Sequence, residues 1–285
     1  MNHQKVRLTP GLYFLATPIG TARDITLRAL DILASADVIA AEDTRSLRHL
    51  MEIHGVPLEG RRILAYHDHS GPGARGQLIA ALEAGHSVAY ASEAGMPLIA
   101  DPGYDLGRAA AEAGFAVTVA PGPSAALAAL TLAGLPTDAF FFAGFLPNAK
   151  TARRTRLEEL KPIPGTLIFY ESPKRAAASL SDMAEVLGPD RPAALCRELT
   201  KKFEEIRRGS LAELAEGALT EPPRGEIVIL VDRGHSEPVK ASDIEADLRA
   251  ALEDHSVRDA ADLVARMHGQ KRREVYQLAL QLSKG

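Results

Sequence analysis

The sequence predicts an α/β protein of two domains, followed by a small helical segment. Three observations predict it. A length of 285 residues exceeds what a single core usually holds. Short apolar runs alternate with helical patterns through the first half, which implies crossover units and a mostly parallel sheet. After Val231 the texture turns polar, and three short helical patterns follow.

In chain order, strands are expected at 11–16, 38–41, 63–66, 87–91 and 116–120. Between them, 27–33, 47–53, 77–82 and 106–113 carry apolar residues at three-to-four spacing, the signature of helices with one buried face. Gly85 and Gly114 stand where helices end. Pro121-Gly122-Pro123 breaks the pattern and opens a helix over 124–133, which Gly134-Leu135-Pro136 closes. The first domain boundary is placed at this break, giving domains of 1–122 and 123–234. Further strands are expected at 140–143, 166–170, 193–197, 203–207 and 225–231, with helices at 151–160, 174–187 and 211–219. Ser210 with Glu213 forms a capping box for the last of these. Residues 232–240 read as a linker to a helical segment at 240–285, where Ser242/Glu245 and Ser256/Asp259 are further capping boxes and Gly269 ends the middle helix.

Composition excludes several classes. One cysteine, Cys196, rules out an internal disulfide or a cysteine-held metal, and its apolar surroundings make it a buried strand residue. His67-Asp68-His69 is the one dense histidine cluster, a weak metal pattern, so no metal is expected. No apolar run approaches the ~20 residues that span a bilayer, and Lys5 and Arg7 precede only a short apolar stretch, so a cytoplasmic protein is expected. The net charge of −4 means that any nucleic-acid contact must come from local basic clusters.

The turn after the first strand is Thr17-Pro18-Ile19-Gly20, with one glycine where a dinucleotide fingerprint needs three. No phosphate-cradling GxxxxGK[ST] run exists either. The chain offers instead proline- and glycine-rich loops at strand ends, SEAGMPLIADPG (92–103) and PGPSA (121–125). Such loops suit a phosphate-free nucleoside read by backbone amides, although tight connections of this composition also occur without a ligand.

Eight motifs carry a specific resemblance: ATPIGTARDITLRAL (16–30), IAAEDTR (39–45), YHDHS (66–70), SEAGMPLIADPGY (92–104), PGPSAALAALTLAGLPTDAFFFAGFLP (121–147), FYESPKR (169–175), CRELTKKFEE (196–205) and RGEIVIL (224–230). In order and spacing they resemble the 16S ribosomal RNA (cytidine-2′-O)-methyltransferases of the tetrapyrrole (corrin/porphyrin) methylase superfamily, over essentially the whole chain. The resemblance implies two α/β domains of the tetrapyrrole-methylase type with a cleft between them, a homodimer, and S-adenosyl-L-methionine bound in the cleft. It implies methylation of a cytidine ribose in the small-subunit decoding region, with 16S ribosomal RNA or the small ribosomal subunit as partner. A tetrapyrrole or other small molecule is the alternative acceptor. Thr17-Pro18-Ile19-Gly20, in place of the Gly-Asp-Pro ending of the tetrapyrrole enzymes, favours RNA. The acidic-loop pattern S-D-A-G-T-P departs here at Glu93, which keeps the charge, and at Met96, which loses a hydroxyl.

The resemblance implies a donor site drawn from these motifs: Pro18 and Gly20; Ser92, Glu93, Ala94 and Gly95; Pro121, Gly122, Pro123, Ser124 and Ala125; Phe145 and Leu146; Tyr170, Glu171 and Ser172; Arg197, Glu198 and Leu199; Gly225 and Glu226. An ordinary ion pair is the other reading for Arg197 and Glu198. A ribose hydroxyl is a poor nucleophile at neutral pH, so a general base would help. Asp43, Glu42, His67 and Lys201 are the candidates, with a helix N-cap the alternative for Asp43, an RNA contact or a surface-loop histidine the alternative for His67, and a phosphate contact the alternative for Lys201. Lys201 would serve as a base only if strongly desolvated. RNA contacts are assigned to Glu42 and Arg45, to Arg153 and Arg154 in a basic helix, and to Lys271, Arg272 and Arg273 at the start of the last helix.

Overall fold

A computed structural model describes residues 2–67, 72–234, 241–267 and 272–283. They form two compact units, 1–233 and 234–285.

The first unit holds two five-stranded sheets. Strands β1 (Gly11–Leu15), β2 (Val38–Ala41), β3 (Ile63–Ala65), β4 (Ser87–Ala91) and β5 (Val117–Ala120) pair in the order β3-β2-β4-β1-β5. Every pair is parallel. Because side chains alternate across a strand, Tyr13, Leu15, Ala89 and Ala91 fill one face while Leu12, Phe14, Val88 and Tyr90 fill the other. Helices α1 (Leu27–Ser35) and α2 (Thr44–Ile53) cover the first face through Leu30, Leu33, Leu47 and Met51. Helices α3 (Pro72–Glu83) and α4 (Tyr104–Glu112) cover the second through Leu78, Leu82, Leu106 and Ala110. Burial on both faces explains why these strands read as unbroken apolar runs. All five strands run the same way, so the loops after β1, β4 and β5 emerge side by side at one edge.

The second sheet has the order β6-β7-β10-β8-β9, from Phe140–Phe145, Thr166–Glu171, Pro192–Arg197, Glu205–Ser210 and Ile227–Val231 (β6 to β10). Only β6 and β7 are parallel; β10 runs antiparallel to both β7 and β8, and β8 to β9. The parallel pattern of the first half therefore does not extend to the second. Helices α6 (Lys150–Leu160), α7 (Ala176–Leu187) and α8 (Leu211–Thr220) pack on one face. On the other face lies α5 (Ala125–Ala133), together with Ile19 from the loop after β1. The two lobes of this unit thus share a core at that loop. The Ser210–Glu213 capping box forms, with Glu213 N–H donating to Ser210 Oγ at 3.2 Å.

The second unit is a three-helix module of α9 (Ala241–Asp254), α10 (Val257–Met267) and α11 (Arg272–Leu282) around Leu248, Ala261, Val264, Val275 and Ala279. Ser256 caps α10 through the Asp259 N–H at 3.2 Å. The side chain of Ser242 and all of Gly269 lie outside the described residues. Among the described residues, no helix is long and apolar enough to cross a membrane.

Candidate functional site

A cavity of about 390 Å³ opens where the carboxyl edge of the first sheet meets the ends of β6, β7 and β10. Its walls come from five places. Ala94, Gly95, Met96, Ile99, Ala100 and Asp101 belong to the loop after β4, and Ile19 to the loop after β1. Ser124 and Ala125 open α5. Phe145, Tyr170, Glu171, Ser172 and Pro173 end β6 and β7, and Leu199 with Gly225, Glu226, Ile227 and Val228 closes the far side.

Local backbone chemistry explains how these loops are held. Thr17 and Gly95 exchange two backbone hydrogen bonds of 3.0 Å, an isolated antiparallel bridge between the first and fourth loops. Ser92 Oγ donates to the Gly95 carbonyl at 2.7 Å, and Thr17 Oγ1 donates to the Ser92 carbonyl at 3.2 Å. Leu98 and Ala100 hold positive φ of 70° and 60°, which few side-chain-bearing residues adopt. The loop therefore carries backbone strain beside the cavity. Gly122 is needed because a Cβ there would lie 2.9 Å from Ala16 Cβ.

The far wall is tied by charge. Glu198 (φ 50°) and Thr200 (φ 62°) form a left-handed turn between β8 and β9. Glu198 Oε1 accepts from the Glu226 N–H at 3.0 Å, and Lys201 Nζ donates to Glu198 at 3.1 Å and to Glu226 at 2.9 Å. The backbone N–H of Glu226 holds the Glu198 carboxyl below its ordinary value, against partial burial and with help from Lys201. Burial pulls the Lys201 ammonium down, but its two carboxylate partners outweigh it and leave the pKa raised. Lys201 is therefore a fixed cation. Its two carboxylate partners thus favour the charged ammonium over the neutral amine that a base role would need.

Of the residues assigned to the donor site from sequence, Ala94, Gly95, Ser124, Ala125, Phe145, Tyr170, Glu171, Ser172, Leu199, Gly225 and Glu226 line the cavity. Others stand behind it. Leu146 is buried, and its carbonyl accepts from Arg175 Nη2 at 2.6 Å. Arg197 pairs with Glu205 at 2.5 Å, and not with the adjacent Glu198 that the sequence offered as its ion-pair partner. Pro18, Gly20, Ser92, Glu93, Pro121, Gly122, Pro123 and Glu198 shape the loops without lining the wall. Glu171 lines the wall with its carboxylate already engaged. It is 3% exposed, accepts from Ser179 Oγ at 2.5 Å and from the Ser172 N–H at 2.8 Å, and faces Arg175 Nε at 3.3 Å. Sequence reasoning did not single out Ile19, Ile99, Ala100, Asp101, Pro173, Ile227 and Val228, although all seven lie in quoted motifs. Being mostly apolar, they look like core residues.

The acidic candidates lie at the neighbouring strand end. Asp43 caps α2, with Oδ1 accepting from Arg45 N–H at 2.7 Å and Ser46 N–H at 3.2 Å. Those two N–H groups, that of Arg45 first, hold its carboxyl below the ordinary value. Its Oδ2 faces Arg45 Nη2 at 3.6 Å. Glu42 Oε2 accepts from the Glu93 N–H at 3.3 Å, which ties it to the residue next to the cavity wall. His67 is exposed beyond β3, while Asp68 and His69 lie outside the described residues. Among the described residues no group of three or more His, Cys, Asp or Glu side chains is arranged to hold a metal.

The basic helix does not offer what its sequence promised. Arg153 is 6% exposed and pairs with buried Asp182 at 2.5 Å. Arg154 Nε contacts the same carboxylate at 3.1 Å and its Nη2 pairs with Glu185. Their charge holds α6 to α7, so the RNA contact assigned to them is corrected to a structural one. Lys271 lies outside the described residues; Arg272 pairs with Asp262, and Arg273 is exposed.

Residues 11–215 match the model of the Tetrapyrrole (Corrin/Porphyrin) Methylases. The chain belongs to this family. Residues 238–283 match the model of the RsmI C-terminal HTH domain. Among relatives of this tetrapyrrole methylase, the Ribosomal RNA small subunit methyltransferase I of Mesorhizobium japonicum is 49% identical over 276 residues, covering 96% of this chain and 93% of that one. The protein of the same name from Escherichia coli O157:H7 is 42% identical over 286 residues, with 98% of both chains covered. In fold, uroporphyrin-III-C-methyltransferase from Thermus thermophilus superposes with a TM-score of 0.55 at 22% identity, covering 78% of this chain and 94% of that one. Diphthine synthase does so with 0.58 at 14%, covering 78% and 90%. At those identities the likeness speaks for the methylase fold alone.

Proposed function

We propose that this tetrapyrrole methylase transfers a methyl group from S-adenosyl-L-methionine to the 2′-hydroxyl of a cytidine ribose in 16S ribosomal RNA. The observation that carries the reading is the cavity itself. At about 390 Å³ it falls within the ~300–1,000 Å³ typical of small-molecule sites. Its walls are mainly backbone and apolar groups, and Phe145 and Tyr170, with ring centroids 5.8 Å apart, supply an aromatic end. Such a lining fits a phosphate-free adenosyl group. Relatives at 42–49% identity carry ribosomal RNA small subunit in their names, and a uroporphyrin-III methyltransferase of the same fold was crystallised with S-adenosyl homocysteine.

When bound, S-adenosylmethionine supplies an electrophilic methyl on a sulfonium. The residues around it have mainly a positioning task, because an in-line displacement depends on alignment. The Thr17–Gly95 bridge and the Glu198–Lys201–Glu226 network fix opposing walls and keep the cavity preformed. Proton removal from the acceptor falls to the Glu42-Asp43 pair, with Asp43 Oδ2 the oxygen not engaged by backbone N–H groups. Arg45, exposed beside it, suits a phosphate.

The same proposal takes the chain as a homodimer working in the cytoplasm with the small subunit. Edge strands β5 and β6 expose Val117, Val119, Phe140 and Phe141, large apolar residues that a second copy would cover. Sedimentation tests that part. The experiment for the whole is a ribose-methylation map of ribosomal RNA from cells with and without the gene. One cytidine should lose its mark, and an unchanged map would remove the reading in favour of a small-molecule acceptor.

A further inference from the structure

The helical module carries a basic groove separate from the cavity. It has a volume of about 530 Å³ and is lined by Arg258, Arg272, Arg273 and Tyr276. The sequence places Arg258 in the first turn of α10 and the other three in the first turns of α11, so the groove lies where two helix starts come together. Tyr276 stands three residues after Arg273 and four after Arg272, which puts it on the same side of the helix. It is 36% exposed, while Val275 and Ala279 are buried in the module's core.

The charges there are unequally used. Arg272 pairs with Asp262, which fixes it beside the groove. Asp259, the other nearby acid on α10, is held by Ser256 Oγ at 2.6 Å. Arg258 and Arg273 are exposed and make no ion pair among the described residues. Two uncommitted guanidinium groups and an aromatic face in one groove are the parts of a site for a polyanion that also offers flat rings.

We propose that this groove binds a single-stranded segment of the ribosomal RNA substrate, with phosphates on Arg258 and Arg273 and a base stacked on Tyr276. The proposal rests on the RNA reading above and adds a second contact point to it. A single strand is favoured over a duplex because the major groove of A-form RNA is too deep and narrow for side chains, whereas unpaired bases stack on aromatic residues. The net charge of −4 strengthens the case, because RNA affinity must then come from local groups of this kind.

The test uses the full chain and transcribed 16S ribosomal RNA in filter binding across a salt series, with methyl transfer to the same RNA measured in parallel. Arg258→Ala combined with Arg273→Ala should weaken binding about tenfold or more and make the log K against log salt slope shallower by about 1.4, from ~0.7 per phosphate contact on a single strand. Tyr276→Ala should weaken binding with the slope unchanged, because stacking carries no counterion release. Arg273→Lys should retain the slope, and S-adenosylmethionine affinity should be unaltered in all variants. Wild-type affinity and slope in the double variant, while the wild type methylates RNA, would overturn the groove and leave the enzyme reading intact. A loss seen only with assembled subunits and not with naked RNA would overturn it in favour of a protein contact. A wild type that neither binds nor methylates RNA would overturn both.

Discussion

Gly20 and Lys201 stand so close that a methyl group on Gly20 would lie 2.6 Å from Lys201 Cγ. The same methyl would meet Thr200 Oγ1 at 2.6 Å and the Leu199 carbonyl oxygen at 2.9 Å. The first loop of one lobe is thereby pressed onto the charged turn of the other, beside the cavity. A side chain can yield by rotating, but the Leu199 carbonyl belongs to a backbone whose neighbours already hold left-handed φ.

Gly20→Ala should therefore displace the loop against Leu199, a cavity residue, and raise the dissociation constant for S-adenosylmethionine about tenfold, equivalent to ~1.4 kcal/mol. Calorimetry measures it, with circular dichroism expected to show an intact fold. Unchanged affinity would mean that the contact does not shape the site.

Asp43 separates a capping role from a chemical one. Asp43→Asn keeps an oxygen for the Arg45 and Ser46 N–H groups and so keeps the cap. It removes the carboxylate and should lower turnover by about 10²-fold, the lower end of general-base effects. Asp43→Ala should lose turnover and some thermal stability, with donor affinity nearly intact in both. Full activity in Asp43→Asn would move proton removal to Glu42.

Arg153 is expected to matter for stability and not for RNA. Removing one partner of a buried pair typically costs roughly 3–5 kcal/mol. Arg154 still contacts Asp182 at 3.1 Å, so Arg153→Met should fall at the low end. Urea unfolding reads this. RNA affinity of the folded variant should match wild type.

The Glu198–Lys201–Glu226 network gives a pH signature of definite sign. The Glu198 pKa is depressed, so its contribution is present above the ordinary value of 4.5 and lost as pH falls through the folded value. The Lys201 pKa is raised, so its contribution is present below 10.5 and lost only as pH rises through a value above that. The network's contribution should thus be flat from pH 6 to 9 and fade at both extremes. Subtracting the thermal-unfolding profile of Lys201→Met from that of the wild type should show this shape. A difference that changes near neutrality would contradict it.

Much of the first sheet was legible because β1 and β4 are buried on both faces and leave unbroken apolar runs between helical patterns. Strand direction was not, since apolar periodicity in β8 and β10 is the same whether the strand runs parallel or antiparallel. The strand expected at 203–207 begins at Glu205 because Glu198 and Thr200 adopt left-handed turns without a glycine to announce them. In the site, Pro/Gly loops gave away Gly95, Ser124 and Ala125. Ile227 and Val228 stayed hidden because an apolar wall residue and an apolar core residue look alike in sequence. The burial of Arg153 was equally invisible, since a basic helix face reads as solvated until Asp182 is placed beneath it.

We propose that the adenosyl group lodges in the cavity between the 94–101 loop, the start of α5 and the ends of β7 and β10. Isothermal titration of S-adenosylhomocysteine into the wild-type chain and into Ala125→Trp, which fills the cavity, tests it most directly. Saturable binding is expected for the wild type and none detectable for the folded variant; absence of binding by the wild type, or equal affinity in both, would place the adenosyl group elsewhere.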